Sequence, residues 1–313
     1  MVIIGADTHT RSHTVVAVDA NGRPLGERTV TATPAGHLEL LRWAERFAER
    51  GWALEDCRNL SRRLEADLLR AGGREPDLPT AQLDGPEREV RILVDHREDL
   101  VAERTRIQNR LRWHLHELLP GSEPSPRSLN RAVVLDGLQR RLTVESGTLA
   151  RLAIELLGRV RELTIAIHRL EREIAALVRP LAPSLLELTG CGALTAAKLV
   201  GETAGAARFR SRAAFARHNG TAPVPVWSGN VVRHRLSRGG NRQLNAAMHR
   251  IAVPQLQRPG PGQTYLAHRR AAGDSQTEGI RALRRRISDE VYRRLRHDEQ
   301  RASRQPAGLV AAA

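Results

Sequence analysis

The chain has little of several residue types that define other protein classes. Aromatic residues make up only 3% of its 313 residues, and lysine occurs once, at Lys198. Two cysteines, Cys57 and Cys191, lie far apart without metal-ligand spacing, which argues against a disulfide framework or a zinc ribbon and favours a reducing compartment. No apolar run reaches the roughly 20 residues of a membrane span, and the N-terminus has no signal-peptide pattern. We therefore expect a soluble, cytoplasmic protein without a membrane partner.

What the chain does have is an excess of positive charge. Its formal net charge is +15 and its sequence pI is about 11.4, with arginine supplying nearly all of the basic residues. The abundance of arginine and alanine is also typical of a GC-rich genome, but the excess of base over acid remains after that discount. Such a balance predicts a polyanionic partner, most simply a nucleic acid.

The first part of the chain has the alternating pattern of an α/β domain. Strands are predicted over residues 2–7, 13–19, 26–31 and 52–56, with Asn21-Gly22 as a hairpin turn. Thr33 and Pro34 are typical of a helix start. The buried face of that helix is expected to contain Leu38, Leu41, Ala44 and Phe47, and the next helix repeats leucine at Leu60, Leu64 and Leu68.

Two long segments carry seven-residue repeats of apolar residues. Residues 87–118 and 147–178 both have this spacing, which is cleaner in the second segment. The repeat there is Leu149, Leu156, Leu163, Leu170 and Leu177, interleaved with Val160, Ile167 and Ile174. Heptads with charged neighbours predict coiled-coil helices. An antiparallel hairpin and a dimer seam are both compatible with this pattern.

The last part of the chain is predicted to be mainly helical. A helix, a tight Gly190-Cys191-Gly192 turn and a second helix are typical of a helix-hairpin-helix module, which grips a nucleic-acid backbone with amide groups; an ordinary helix turn is the alternative. Residues 221–242 are rich in Gly, Pro and Arg and show no period. Helices over 243–252 and 277–297 are expected to flank a loop, and the tail from Arg301 is expected to be disordered.

Ser228 is a candidate nucleophile because it precedes a glycine and a run of arginines. Attack of its hydroxyl on a phosphodiester would need neutralisation of the developing negative charge. A solvated basic loop that only touches phosphates is the alternative. The residues assigned to nucleic-acid contacts are Gly190, Gly192, Lys198, Arg233, Arg235, Arg238 and Arg242.

Asp7 and Glu55 are candidate metal ligands. Asp7 ends an apolar, buried-looking strand, where an unpartnered carboxylate is costly, and Glu55 ends a later strand. Carboxylates at such positions suit Mg²⁺ in phosphoryl-transfer enzymes, although Asp7 could equally cap a turn while Glu55 lies on the surface. His9 and His13 lack a third ligand nearby and are expected at the surface.

These motifs together resemble the insertion-sequence "one-ten" transposases. The resemblance is carried by "GADTHTRSHTVVAVD" and "WALEDCRNLSRRLEADLL" at the front, and by "LLELTGCGALTAAKLVGE", "FRSRAAFARHNGTAPVPVWSG", "RHRLSRGGNRQLN" and "ALRRRISDEVYRRL" at the back. It implies a RuvC-like (RNase H-fold) domain with four acids that bind Mg²⁺, a coiled coil, and a C-terminal domain with a catalytic serine. By position, Asp7 corresponds to the first acid, Glu55 to the second and Ser228 to the serine.

The resemblance also implies partners and reveals a gap. Family members cut and rejoin DNA with a structured RNA from their own element, as dimers that form tetramers. The third and fourth acids belong to a Lys-Ser/Thr-Asp-x-x-Asp-Ala motif that is missing here between "LLRAGG" and "REPDLPTAQLDGPEREV". An internal deletion of a strand-and-helix piece would explain this. It would leave a weak or incomplete Mg²⁺ site, an unpaired sheet edge and exposed apolar area.

We therefore expect an α/β plus α architecture with four regions. These are a truncated RuvC-like domain at 1–85, coiled-coil helices at 86–180, a C-terminal transposase domain with a helix-hairpin-helix at 181–300, and a tail at 301–313. The main interpretation is a transposase whose activity is reduced or lost through the deletion. A non-catalytic nucleic-acid-binding protein that mixes with intact subunits is the second. An actin-like sugar or acetate kinase is a remote third. The sequence lacks glycine-rich phosphate loops in the places such a kinase needs them, and a kinase would not explain the positive charge.

Overall fold

A computed structural model describes residues 1–54, 60–71, 84–121, 124–125, 127–228, 231–235 and 239–304. For 225–228 and 231–235 it describes the backbone alone. The chain separates into two compact units, residues 1–80 and 81–313.

The first unit contains a mixed four-stranded sheet. Its elements are β1 (Val2–Thr8), β2 (Ser12–Val18), β3 (Pro24–Thr31), α1 (Pro34–Ala44), β4 (Arg50–Leu54) and α2 (Arg62–Arg70). The strand order is β3-β2-β1-β4, with β2 antiparallel to both β1 and β3, and β4 parallel to β1. Within the described residues β4 is therefore an edge strand. The α/β pattern predicted for this region is confirmed.

Local side-chain chemistry explains where these elements begin and turn. The Asp19 carboxylate accepts hydrogen bonds from the amides of Asn21 and Arg23, both at 2.9 Å, and Gly22 adopts a φ of +80°. These bonds close the predicted hairpin turn. The Thr33 hydroxyl accepts a hydrogen bond from the Gly36 amide at 3.2 Å, which confirms the predicted helix cap.

In the core of the first unit, helix α1 buries a different set of residues from the one predicted, with only Ala44 fully buried in both. Leu40 and Ala44 of α1 are fully buried, whereas Leu38 is 48% exposed, so its assignment to the buried face was wrong. Successive helix residues are about 100° apart, so Leu38 and Leu40 point to nearly opposite sides. Phe47 lies beyond the end of α1 and is only partly buried. The α2 leucines Leu64 and Leu68 are buried as expected, while Leu60 precedes the helix and is exposed.

The second unit is mainly helical and contains one β-hairpin. Its helices are α3 (Pro86–Leu118), α4 (Ala132–Leu142), α5 (Thr148–Leu181), α6 (Pro183–Leu186), α7 (Ala193–Thr203), α8 (Arg212–His218), α9 (Arg242–Gln257), α10 (Pro261–Ala271) and α11 (Gln276–Arg304). The hairpin consists of β5 (Val224–Ser228) and β6 (Val231–Arg235).

Three features of this unit differ from the sequence-based expectation. The hairpin occupies the stretch interpreted as non-periodic, and in it Val224 and Val226 alternate along β5 opposite Arg235 and Arg233. Helix α10 occupies the expected loop between 252 and 277, starting at Pro261 behind Gly260. Helix α11 continues through Arg304 instead of ending before Arg301, so the expectation of a disordered tail is wrong for 301–304. Residues 305–313 lie outside the described residues.

Helices α3 and α5 form an antiparallel pair within the chain. Arg97 donates a 3.1 Å hydrogen bond to Glu171, Arg104 donates to Thr164 at 3.2 Å, and Arg159 donates to Glu103 at 2.8 Å. Partner numbers fall along α5 as they rise along α3, which fixes the antiparallel direction. The buried seam residues on α5 are Val160, Leu163, Ile167, Leu170 and Ile174. The two long helices are confirmed and form an intrachain hairpin, while Leu149, Leu156 and Leu177 of the predicted repeat are only partly buried.

The core of the second unit surrounds α7 and α9. Helix α7 is buried on all sides from Ala196 to Thr203, and α9 is buried along one side. Helices α3 and α5 pack on α7, while α10 and α11 pack on α9. Its buried members include Leu199, Phe215, Leu244, Met248, Ile251, Ile287 and Val291. Among the helices of the described residues, none has an apolar stretch long enough to cross a membrane.

Candidate functional site

Asp7 lies on the face of the sheet opposite the core of the first unit. Residues alternate between the two faces of a strand, and Ile4, Ala6 and Thr8 take the buried positions of β1. The Asp7 side chain is 63% exposed, and its carboxylate lies 3.3 Å from Nε2 of His9. The expectation that Asp7 occupies a buried position is therefore wrong. Its carboxylate is solvated by water and needs no buried partner.

The register of β1 and β4 brings the sequence neighbours of both candidate acids side by side. Ala6 pairs with Leu54 at the end of the parallel ladder, and these residues immediately precede Asp7 and Glu55. Glu55 itself lies outside the described residues. Among the residues that the structure does describe, no group of three or more His, Cys, Asp or Glu side chains could hold a metal ion.

His13 is buried against α1 instead of lying at the surface, which corrects the expectation for this residue. Its side chain is 1% exposed, and its ring stacks on that of His37 with a centroid distance of 5.2 Å. Nδ1 of His37 lies 2.6 Å from a carboxylate oxygen of Asp67. Nδ1 of His13 and Nε2 of His37 have no hydrogen-bond partner within the described parts of the chain. His9, in contrast, is exposed as expected.

This histidine pair predicts that acid destabilises the first unit. Burial, followed by the nearby His37 and His9, lowers the pKa of His13 below the ordinary value of 6.5. Below about pH 6.5 His13 therefore binds a proton in the unfolded chain but stays neutral in the folded chain. The free energy of unfolding falls as the pH drops toward the lowered pKa. We expect amide exchange in β1 and β2, corrected for its intrinsic pH dependence, to accelerate over this range. In His13→Leu the acceleration should shrink, and an unchanged pH profile would show that His13 is not responsible.

Ser228 ends the first strand of the hairpin in the second unit. It pairs with Val231, and residues 229–230 connect the two strands. In an antiparallel pair, opposed residues and every second residue share a face. By this register Ser228, Arg233 and Arg235 belong to the same face of the hairpin. The structure thus brings together three candidates that the sequence could only place in one stretch.

Asn219 anchors the chain where it enters the hairpin. Its fully buried side chain donates a hydrogen bond to Ser288 of α11 at 2.8 Å and accepts bonds from the amide and hydroxyl of Thr221 at 3.1 and 2.6 Å. The Asn219 carbonyl accepts a bond from the side chain of Asn245 on α9 at 3.0 Å. Two helices therefore hold this end of the hairpin through one asparagine.

Asn241 anchors the chain where it leaves the hairpin. Its amide donates to the His218 carbonyl at 2.6 Å, and its side-chain NH₂ donates to Glu202 of α7 at 2.5 Å. Its side-chain oxygen caps α9 by accepting bonds from two amides, at 2.9 and 3.0 Å. Sequence reasoning missed Asn219, Asn241, Glu202 and Ser288. The asparagine beside Gly220 and that after Gly240 were the available signal, since Asn is typical of turns and helix caps.

The glycine turn before α7 has two glycines with different roles. Gly190 has a φ of +89°, and a Cβ there would lie 2.6 Å from the carbonyl oxygen of Ile251 in α9. Gly192 has a φ of −80° and open space around its Cβ position. Cys191 between them is buried, and burial raises the pKa of its thiol to about 12. Gly190 is thus needed for packing, while Gly192 is exposed at the start of α7.

Lys198 has an intramolecular environment. Its side chain is 2% exposed, and its ammonium lies 3.2 Å from Asp95 and 2.9 Å from Glu98 on α3. Arg242, in contrast, is exposed as the first residue of α9. Arg238 lies outside the described residues.

We expect the two cations to respond oppositely when each is neutralised. Lys198→Met should lower the free energy of unfolding by about 1–3 kcal/mol, because the two carboxylates that lose their partner are partly hydrated. It should leave the salt dependence of nucleic-acid binding unchanged, whereas Arg242→Gln should reduce that slope by up to about 0.9 if Arg242 contacts a phosphate. Fluorescence anisotropy with duplex DNA over a salt series measures both slopes. An equal reduction in both variants would place Lys198 at the interface despite its burial.

Residues 182–267 match the model of a transposase family described as IS116/IS110/IS902. This range contains the glycine turn, the hairpin with Ser228 and the start of α9. Among curated relatives, an uncharacterized 43.6 kDa protein of insertion element IS110 from Streptomyces coelicolor is 29% identical, over 72% of this chain and 67% of the relative. These matches support an insertion-element transposase of the IS110 type.

Two further relatives extend this result. The 44.8 kDa protein of insertion element IS116 from Streptomyces clavuligerus is 27% identical over 94% of each chain, and the 42 kDa protein of IS900 from Mycobacterium paratuberculosis is 26% identical over 72% of this transposase and 67% of the relative. The IS116 alignment runs over 376 residues whereas this transposase has 313, so at least 63 aligned positions of that relative have no counterpart here.

Proposed function

We propose that this transposase binds DNA through its second unit and that Ser228 is the nucleophile of strand transfer. The observation that carries this proposal is the hairpin register, which assigns Ser228, Arg233 and Arg235 to one face. The Ser228 oxygen would form a bond to phosphorus while the bond from phosphorus to one deoxyribose oxygen breaks. The serine proton is released and the departing oxygen takes up a proton. Guanidinium groups on the same face would stabilise the charge that develops on the phosphate.

We further propose that the first unit is an incomplete RNase H-like domain in which Asp7 and Glu55 are the remnant of a Mg²⁺ site. Three antiparallel strands, a helix and a fourth strand parallel to the first support this assignment, as does the pairing of Ala6 with Leu54. Transposases of this family generally use a divalent metal. Mg²⁺ prefers six oxygen ligands in octahedral geometry, so water and substrate phosphates would have to complete the shell around two carboxylates, and a site that lacks two of the family's four acids would hold the ion more weakly.

The 63 or more unmatched positions support an internal loss of sequence. We propose that the third and fourth acids of the resemblance were lost with them. This gap favours a second candidate function, in which the chain binds nucleic acid without cutting it. A structured RNA from the element and assembly as dimers or tetramers are further proposals that rest on the family resemblance.

A recombination assay in cells distinguishes the two functions. Donor and target DNA and the flanking RNA of the element are supplied to the chain, to Ser228→Ala, to the control Ser303→Ala, and to a chain with the missing acid-bearing segment restored. Ser303 is an exposed residue at the end of α11. In whichever background joins DNA, natural or restored, we expect a DNA adduct linked to Ser228. Both joining and the adduct should be lost in Ser228→Ala and kept in Ser303→Ala.

The restored chain decides how much activity remains. Joining by the restored chain alone would mean that the natural chain only binds, which is the second function. Undiminished joining by Ser228→Ala in either background would overturn the assignment of the nucleophile.

A further inference from the structure

A groove on the second unit is lined by arginines that none of the features above uses. It is a cavity of about 890 Å³ between the start of α8 and the outer side of α11. We call it the arginine groove, defined by Arg212, Arg285, Arg286, Arg293 and Arg296. All but Arg212 lie on α11, which is outside residues 182–267 that match the family model.

Carboxylates in the arginine groove neutralise only part of its charge. Asp289 forms an ion pair with Arg285, and Glu290 forms one with Arg293 at 2.6 Å. Hydrogen bonding from Arg293 holds the pKa of Glu290 at about 2 even though the residue is partly buried, so its ion pair with Arg293 persists at neutral pH. Arg212, Arg286 and Arg296 form no ion pair with any residue in the described part of the chain. The guanidinium of Arg286 lies 4.2 Å from the centroid of the Tyr265 ring, a contact that does not neutralise its charge, so all three arginines keep a positive charge to offer to a ligand.

The arginine groove is built on a rigid floor. The Tyr292 hydroxyl donates a 2.7 Å hydrogen bond to the Phe209 carbonyl, and its ring packs on Phe215 with a centroid distance of 5.6 Å. Ile287 and Val291, on the inner side of α11, are buried in the core. Arginines held on such a helix can bind a ligand without first ordering the backbone.

The same helix also holds the hairpin. Ser288, which accepts the hydrogen bond from Asn219, lies between the groove residues Arg286 and Arg293 in the sequence of α11. From Arg285 to Arg296 the helix rises about 16 Å. That length is enough to contact more than one phosphate of a nucleic-acid strand.

We propose that the arginine groove binds the phosphate backbone of a nucleic acid, as a contact site additional to the hairpin face. This inference rests on the proposed function, because it adds a second anchor for the same substrate. Guanidinium groups match phosphate oxygens in a bidentate geometry, and contacts of this kind position a nucleic acid without reading its sequence. An acidic protein segment is the competing ligand. Three arginines without a carboxylate partner, on two neighbouring helices, and the transposase match of residues 182–267 favour nucleic acid.

The test compares two sets of three substitutions in the full chain. The groove variant is Arg212→Gln, Arg286→Gln and Arg296→Gln. The control variant is Arg106→Gln, Arg110→Gln and Arg169→Gln, which changes net charge equally at exposed positions of α3 and α5. A third variant replaces the same three arginines by lysine: Arg212→Lys, Arg286→Lys and Arg296→Lys. Binding is measured by anisotropy over a salt series with a fluorescein-labelled DNA duplex of mixed sequence, an RNA hairpin and, as an acidic polypeptide, poly-glutamate.

We expect the groove variant to lose salt dependence that the control keeps. The slope of log affinity against log salt should fall by about 2–3 for a duplex, at roughly 0.9 per phosphate contact, while the lysine variant keeps most of it. A loss confined to the DNA or to the RNA probe supports the site and identifies its ligand. Equal losses in groove and control variants, or tighter binding of poly-glutamate than of either nucleic acid, would overturn the proposal.

The binding assay and the recombination assay together separate this inference from the proposed function. If the natural chain binds DNA and the groove variant binds it equally well, the groove inference fails while the role of Ser228 stands. If Ser228→Ala joins DNA normally but the groove variant loses its salt slope, the nucleophile fails while the groove stands.

Discussion

Gly190→Ala is expected to destabilise the second unit strongly. The new methyl group would sit 2.6 Å from the buried carbonyl of Ile251, and a φ of +89° disfavours any residue with a Cβ. Left-handed backbone costs about 1–2 kcal/mol and overpacking about 1–3 kcal/mol, so the free energy of unfolding should fall by roughly 2–5 kcal/mol. Thermal unfolding followed by circular dichroism should show a midpoint lowered by roughly 5–15 °C for a unit of this size.

Gly192→Ala is the matched control within the same turn. Its φ of −80° suits alanine and no atom lies within 4 Å of the new methyl group, so only a loss of about 0.5–1 kcal/mol at the helix cap is expected. Comparable destabilisation by both substitutions would show that the turn does not pack on α9. If Gly192→Ala weakens DNA binding at unchanged stability, the amides at the start of α7 approach the backbone as the helix-hairpin-helix prediction requires.

Local periodicity made the helices and the first sheet predictable. The heptads of α5 and the Thr33-Pro34 cap depend on residues within one or two turns, so their signal survives in the sequence. The hairpin did not, because glycine, proline and arginine obscured the alternation of Val224 and Val226. In the first unit, the alternation of strand residues exposes Asp7 and buries His13, the reverse of what we expected.

The arrangement of the candidate site was less predictable than its members. Ser228 and the arginines were identifiable from residue type and from the family resemblance. The residues that position them were not, since the hydrogen bond between Asn219 and Ser288 joins positions 69 residues apart. A contact over this separation leaves no periodic trace in a single sequence. For Lys198 the residue type was misleading. A lysine in a basic chain suggested a phosphate contact, but in the fold its ammonium pairs with two carboxylates.

Asn219→Ala is expected to loosen the hairpin as well as lower stability. The substitution removes three side-chain hydrogen bonds and leaves the buried Ser288 hydroxyl without its partner. At about 1 kcal/mol per bond and 1–3 kcal/mol for a stranded polar group, the free energy of unfolding should fall by roughly 4–6 kcal/mol. The bond from Asn245 to the Asn219 carbonyl survives, so the unit should still fold.

Amide hydrogen exchange can separate these two effects. In Asn219→Ala, protection of the β5 and β6 amides should fall by more than that of α9, because the entry to the hairpin loses its tie to Thr221 and α11. Ser288→Ala should reproduce part of this change, and a double-mutant cycle should give a coupling of about 1 kcal/mol between the two residues. Uniform loss of protection across the unit would mean that Asn219 contributes to general stability alone. A selective loss, accompanied by reduced strand joining in a competent chain, would mean that the asparagine positions the serine for attack.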